Sequence, residues 1–125
     1  MKIRQIDHFV ITTADLDACL RFYTDILGME HRIDNGHHNL YFHGGKISIH
    51  VSKGEFQPAA AHPEYGAQDF CLEVQDDLAE ARAEVEAAGV RPLTGIVLRH
   101  GARGAMQSFY LRDPDGNLVE LCRYT

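Results

Sequence analysis

Residues 4–28 read Arg4-Gln5-Ile6-Asp7-His8-Phe9-Val10-Ile11-Thr12-Thr13-Ala14-Asp15-Leu16-Asp17-Ala18-Cys19-Leu20-Arg21-Phe22-Tyr23-Thr24-Asp25-Ile26-Leu27-Gly28, and the order of signals in them decides the fold. Arg4 to Thr12 is rich in β-branched and aromatic residues and predicts a strand. Thr13-Ala14-Asp15 supplies an N-cap and a first-turn acid. Leu16, Cys19, Leu20, Tyr23, Ile26 and Leu27 then follow helical spacing, and Gly28 suits the C′ stop. Asn35-Gly36 is a favoured two-residue turn between strands near 29–34 and 37–43. Gly44-Gly45 turns the chain again into Lys46-Ile47-Ser48-Ile49-His50-Val51. The expected order is βαβββ.

A looser connector, Ser52 to Gly66, holds two prolines and Ala59-Ala60-Ala61, and beyond it the pattern restarts. Gln68 to Val74 predicts a strand. Asp76-Asp77 can cap a helix whose apolar side is Leu78, Ala81, Val85 and Ala88, with Gly89 as its stop. Val90 to Arg99 contains extended residues around Pro92, which suits an edge strand. Met106 to Arg112 and Asn117 to Arg123 flank the turn Asp113-Pro114-Asp115-Gly116. His8 and Asp69, Asp15 and Asp76, and Gly28 and Gly89 are each 61 residues apart, which predicts an internal duplication. The expected fold class is α+β: one domain over 1–125, with a first module near 1–52, a connector near 53–66 and a second module near 67–125.

The 125 residues carry 45% hydrophobic and 24% charged side chains, an ordinary globular composition. The net charge of −6 leaves no basic footprint for nucleic acid or anionic lipid. No apolar run approaches the length of a membrane span, and Met1-Lys2-Ile3-Arg4 leads into no signal-type stretch. The three widely spaced cysteines, Cys19, Cys71 and Cys122, read as reduced thiols of a cytoplasmic protein.

Successive strand residues face opposite sides of a sheet. Val119 and Leu121 oppose Leu118, Glu120 and Cys122; Phe70, Leu72 and Val74 oppose Asp69, Cys71 and Glu73. Ile47, Ile49 and Val51 oppose Lys46, Ser48 and His50, while Phe9 and Ile11 oppose Ile6, His8 and Val10. One face of each strand is dry and can lie under a helix. The other sets collect His8, His50, Asp69, Glu73 and Glu120 among apolar neighbours, the pattern of a cavity with convergent polar groups. A histidine and two carboxylates drawn together there need a positive partner. No Cys-x-x-Cys pair exists for a structural zinc site; imidazole with carboxylate suits divalent Fe, Mn, Co, Ni or Zn with positions open to water or substrate.

Three stretches carry a family resemblance: Ile6-Asp7-His8-Phe9-Val10, Phe22-Tyr23-Thr24-Asp25-Ile26-Leu27-Gly28-Met29, and Phe109-Tyr110-Leu111-Arg112-Asp113-Pro114-Asp115-Gly116-Asn117-Leu118-Val119-Glu120. The chain resembles the vicinal oxygen chelate superfamily, which includes glyoxalase I, bleomycin-resistance proteins and extradiol dioxygenases, and within it the small glyoxalase-domain-containing group. The resemblance implies two tandem βαβββ modules forming a cupped mixed sheet around one divalent metal, with helices on the outer face and a homodimer as the usual assembly. Carried onto this chain, the metal ligands are His8, Asp69 and Glu120, with Ser48 or His50 at the remaining position. Asp69 stands where many members have histidine, and Ser48 where glyoxalase I has glutamate.

The implied activity is a lyase or isomerase of the glyoxalase type, acting on a small oxygenated substrate through two neighbouring oxygens. A ferrous ion at the same positions would instead suit dioxygen chemistry. Glu120 and His50 are the candidate catalytic residues, although His50 also fits a ligand or a satisfied core imidazole. Arg103, in the glycine-punctuated run Arg99 to Gly104, suits a carboxylate or phosphate as well as a solvated turn. Tyr110 and Cys71 are candidate substrate contacts or packing groups, and Glu73 is a candidate base. His31, His37, His38 and His43 lie in or beside hairpins and are expected to be exposed. The alternative function is a metal-free protein of the bleomycin-resistance type that sequesters a small ligand.

Overall fold

The computed structural model describes residues 1–125. Its strands are β1 (His8–Thr12), β2 (Glu30–Asp34), β3 (His37–Phe42), β4 (Gly45–His50), β5 (Asp69–Glu73), β6 (Val97–Gly101), β7 (Gly104–Arg112) and β8 (Leu118–Tyr124). Its helices are α1 (Leu16–Leu20), continued by a π-helical stretch (Arg21–Ile26), and α2 (Leu78–Ala87). Hydrogen bonds sort the strands into two four-stranded mixed sheets, ordered β1-β4-β3-β2 and β5-β8-β7-β6. In each, the first strand runs parallel to the last and the remaining pairs are antiparallel. This is the expected α+β chain of two βαβββ modules.

The chain divides into compact units at Met1–Ala67 and Gln68–Thr125, so the connector packs with the first module. Phe56 explains part of this: its ring stacks on His37 with centroids 3.8 Å apart and meets His50 edge-on at 5.3 Å. Lys53 and Glu64 close the connector on itself with a 2.6 Å ion pair.

The alternation expected of the strands holds. In the first module Ile11, Leu40, Ile47 and Ile49 are buried on one face, as are Cys19, Phe22 and Tyr23 of its helical segment. In the second, Phe109, Leu111, Val119 and Leu121 are buried, and α2 contributes Leu78, Ala81 and Val85. Each of the buried Ile, Leu, Val and Phe side chains contributes about 1.5–3 kcal/mol on burial, which sets the register against a one-residue slip.

The two helices differ in a way the 61-residue spacing hides. Asp15 caps α1 through a carboxylate that accepts from Ala18 N at 3.1 Å. Asp77, not Asp76, caps α2 by accepting from Ala79 N and Glu80 N. The segment from cap to stopping glycine is therefore one residue longer in the first module. The π-helical stretch absorbs it. Met29 N reaches back to Tyr23 O, while the corresponding Val90 N reaches only to Val85 O. Thr24 Oγ1 donates to Leu20 O at 2.6 Å, occupying a carbonyl that an α-helical amide would otherwise use. The uniform helix expected over 16–27 is thus corrected to one α and one π segment, and Phe22 takes the buried place expected of Ile26 and Leu27.

The turn expected at Asp113–Gly116 is present as an internally bonded hairpin loop that takes in Asn117 as well, since β8 starts at Leu118. Asp113 accepts from Asn117 N (2.9 Å), Asp115 N (3.0 Å) and Asn117 Nδ2 (2.7 Å). The Asn117 side-chain oxygen accepts from Gln68 N at 2.9 Å, and Leu118 N donates to Gln68 O. Asn117, 1% exposed, therefore locks β8 to the start of β5.

His31 and His38, expected in the open, face the buried side of their sheet and share a 2.9 Å hydrogen bond between Nε2 and Nδ1. Desolvation, followed by the neighbouring His38, holds the His31 imidazole below its ordinary range. The unfolded chain then binds the proton more readily, so stability falls as pH drops through the usual histidine value toward that of folded His31.

Two outcomes are expected. Asn117→Ala should lower unfolding stability by about 1–3 kcal/mol in urea denaturation, because it strands a buried amide and a carboxylate together. Melting temperature should fall between pH 7 and pH 5 more steeply in the parent protein than in His31→Gln; parallel curves would show that the pair does not titrate with folding.

Candidate functional site

Each module presents one polar sheet face. In the first, the register brings His8 beside Lys46, Val10 beside Ser48 and Thr12 beside His50, and on the other side Asn39 beside Ser48 and Tyr41 beside Lys46. An open cavity of about 350 Å³ lies on this face, and its walls include His8, Val10, Asp34, His37, Ser48 and His50.

Within it the uncharged polar groups satisfy one another. Ser48 Oγ donates to Asn39 Oδ1 at 2.8 Å; Asn39 Nδ2 donates to Asp34 Oδ2 at 2.9 Å; Tyr41 OH donates to the same oxygen at 2.8 Å. Those two donors, with Lys46 and Arg32 nearby, hold the Asp34 carboxyl below the usual carboxylate range, and the phenol of Tyr41 is raised in return. Ser48 is therefore engaged in a relay. His8 keeps its side chain 45% exposed and its Nδ1 lies 2.7 Å from Asp7 Oδ1, an arrangement that fixes the ring and directs Nε2 outward. His50 is 9% exposed and braced by Phe56.

In the second module, parallel pairing sets Cys71 beside Glu120 and Glu73 beside Cys122, and antiparallel pairing sets Tyr110 beside Glu120 and Ser108 beside Cys122. Ser108 Oγ donates to Glu120 Oε2 at 2.7 Å. Burial, then Glu120, pushes the Tyr110 phenol up against the opposing pull of Arg99, whose Nε reaches the phenolic oxygen at 3.0 Å. Desolvation, then Cys122 and Glu120, pushes the Cys71 thiol well above its ordinary range. A thiol so raised is a packing or contact group and a poor nucleophile at neutral pH.

Arg103 and Glu73 do not stand free. The Arg103 guanidinium lies 2.9 Å from Glu73 Oε1 and 4.1 Å above the centre of the Tyr124 ring. Arg99 and His100 belong to β6, not to the loop expected there. Asp69 opens β5 beside Leu118 and is exposed.

Within neither module do three His, Cys, Asp or Glu side chains converge. The first module supplies His8 and His50; the second supplies Asp69 and Glu120 from neighbouring strands. Imidazole and carboxylate are donors of a kind that divalent cations take, and each module holds one with an outer hydrogen-bond partner: Asp7 on His8 in the first, Ser108 on Glu120 in the second. Sequence reasoning set His37 among the exposed hairpin histidines and passed over Asn39, Asp34 and Phe56. The alternation of 37, 39 and 41 along β3 was the available signal for the first two; nothing local marks Phe56, which reaches the sheet from the connector.

A family model described as "Glyoxalase/Bleomycin resistance protein/Dioxygenase superfamily" matches residues 5–121. The chain is 38% identical over 124 residues to "Glyoxalase domain-containing protein RDO1" of Mycosarcoma maydis, covering 99% of this chain and 70% of that one. It is 37% identical to "Virulence protein STM3117" of Salmonella typhimurium, covering 99% of this chain and 87% of the relative, whose crystal structure superposes with a TM-score of 0.97 over all of both chains. An integron cassette protein from the mobile metagenome of V. Cholerae is 41% identical, with a TM-score of 0.96 over 100% of this chain and 98% of that chain. No helix is long and apolar enough to cross a membrane. With the family model spanning nearly the whole chain, both modules included, this protein belongs to the glyoxalase/bleomycin resistance protein/dioxygenase superfamily.

Proposed function

We propose that the protein is a metal-dependent enzyme acting on a small oxygenated substrate that binds through two neighbouring oxygens, with lyase or isomerase chemistry of the glyoxalase type. His8, Asp69 and Glu120 are the residues proposed to hold the divalent cation. The observation that carries the reading is the pair of outer contacts on two of them: Asp7 on His8 Nδ1 and Ser108 on Glu120 Oε2, each at 2.7 Å. Such partners orient ligating side chains and set their basicity. When bound, a cation of this kind supplies Lewis-acid polarisation and positions for substrate oxygens.

The chain's own residues supply the rest. His8 presents Nε2 with its ring orientation fixed. Ser108 holds the Glu120 carboxylate in one rotamer. His50, 9% exposed in the cavity wall, offers an imidazole nitrogen to a substrate proton for general acid–base transfer. Tyr110 and Cys71 flank Glu120 as substrate contacts, and Arg103 takes part only if a substrate anion displaces Glu73. A homodimer and a cytoplasmic location complete the proposal; the exposed Ile3 and Ile6 of the N-terminal arm support the first, and cysteines that are not joined in disulfides support the second.

Ligand sequestration without metal has one observation in its favour: the first-module cavity draws a single residue, His8, from the proposed ligand set. Purified protein is expected to carry stoichiometric divalent metal by plasma mass spectrometry, and His8→Ala and Glu120→Ala are each expected to lose most of it. Unchanged metal content in both variants overturns the enzyme reading, and ligand binding undiminished by chelator then favours sequestration.

A further inference from the structure

Lys46 is the one cationic residue in the wall of the first-module cavity, and it has no hydrogen bond or ion pair. Other cations on the polar sheet faces are committed. Arg32 donates two hydrogen bonds to Glu30 at 3.0 Å each, Arg103 is paired with Glu73, and Arg99 reaches Tyr110. Lys53, in the connector, is tied to Glu64. Beyond the through-space attraction of the Asp34 carboxylate, the ammonium of Lys46 has only the Tyr41 ring, 5.9 Å away, a weak contact at that range.

Asp34 does not neutralise Lys46 by contact. Its Oδ2 is engaged by Asn39 and Tyr41, and the Ser48 hydroxyl donates to Asn39. The hydrogen-bonding groups left over on the cavity wall are therefore Lys46, His8 Nε2, the side-chain amide of Asn35, and the imidazoles of His37 and His50, which have ring contacts but no hydrogen bond. Phe56 braces both rings, and Val10 adds an apolar surface between the strands. Cationic and imidazole groups left over beside an apolar wall match a planar carboxylate, not a cation or a neutral alcohol.

We propose that this face binds a small carboxylate, with Lys46 receiving the anionic group and Val10 and the His37 and His50 rings receiving its planar body. The inference rests on the reading of this face as ligand-binding but not on the metal. It narrows the oxygenated substrate to one that bears an acid.

The test uses the full-length protein after chelator treatment, so that the fate of the metal reading cannot decide it. Benzoate and its uncharged isostere benzamide are titrated in parallel at fixed ionic strength, with binding followed by amide and histidine resonances. Benzoate is expected to bind about tenfold more tightly than benzamide, the scale of one hydrogen bond to a charged group, and to shift His37 and His50. Lys46→Met should erase the difference between the two probes, and Lys46→Arg should keep most of it. Equal binding of both probes, a preference that survives Lys46→Met, or no saturable benzoate binding in the millimolar range would each overturn the proposal. Loss of metal in His8→Ala bears on the enzyme reading alone.

Discussion

Parallel pairing of the first strand with the last, repeated in both modules, is the constraint on which the rest of the structure depends. A parallel pair cannot be closed by a tight turn, so a helix and two further strands must intervene. Those elements cover one face of the sheet with apolar side chains and leave the other to polar ones. The same pairing decides which chemistry meets. It sets His8 against Lys46 in one module and Cys71 against Glu120 in the other. Shifting one of these strands by one residue would turn its own member of the pair toward the core.

Most polar groups on the two faces are already spent on one another. Ser48, Asn39, Asp34 and Tyr41 form a closed chain of donors and acceptors, and Ser108 and Arg99 tie Glu120 and Tyr110 in place. Such closure keeps side chains in single rotamers before any ligand arrives, which lowers the ordering cost of binding. The few groups outside it stand out against a satisfied background. His8 and Lys46 stand side by side in the first module.

The fold was legible because period-2 alternation, Asn35-Gly36 and the stopping glycines are local signals. Asn35 does adopt a left-handed φ of 51°, as that turn requires. The π-helical stretch was not legible. It follows from one residue gained between cap and glycine, and helical spacing alone distributes such an insertion evenly. The histidines divided differently. His8 and His50 declared themselves by sharing strand faces with apolar neighbours. His31 and His38 looked like hairpin decoration because only the β2–β3 register shows that they meet. Arg103 read as a free cation because Glu73 is thirty residues away in sequence, beyond any local pattern. Asn117 sat inside one of the stretches that carry the family resemblance, yet its contact with Gln68 spans nearly the whole second module.

Phe56 belongs to no strand or helix, yet it sets the planes of two imidazoles on the first sheet. A linker that braces two residues of a pocket's wall separates two kinds of change. The sheets can hold their hydrogen bonds and core untouched while insertions, deletions or substitutions between Ser52 and Gly66 reshape what the pocket admits. Divergence of ligand preference in such a scaffold can begin in the segment with the least regular structure, at little cost to folding.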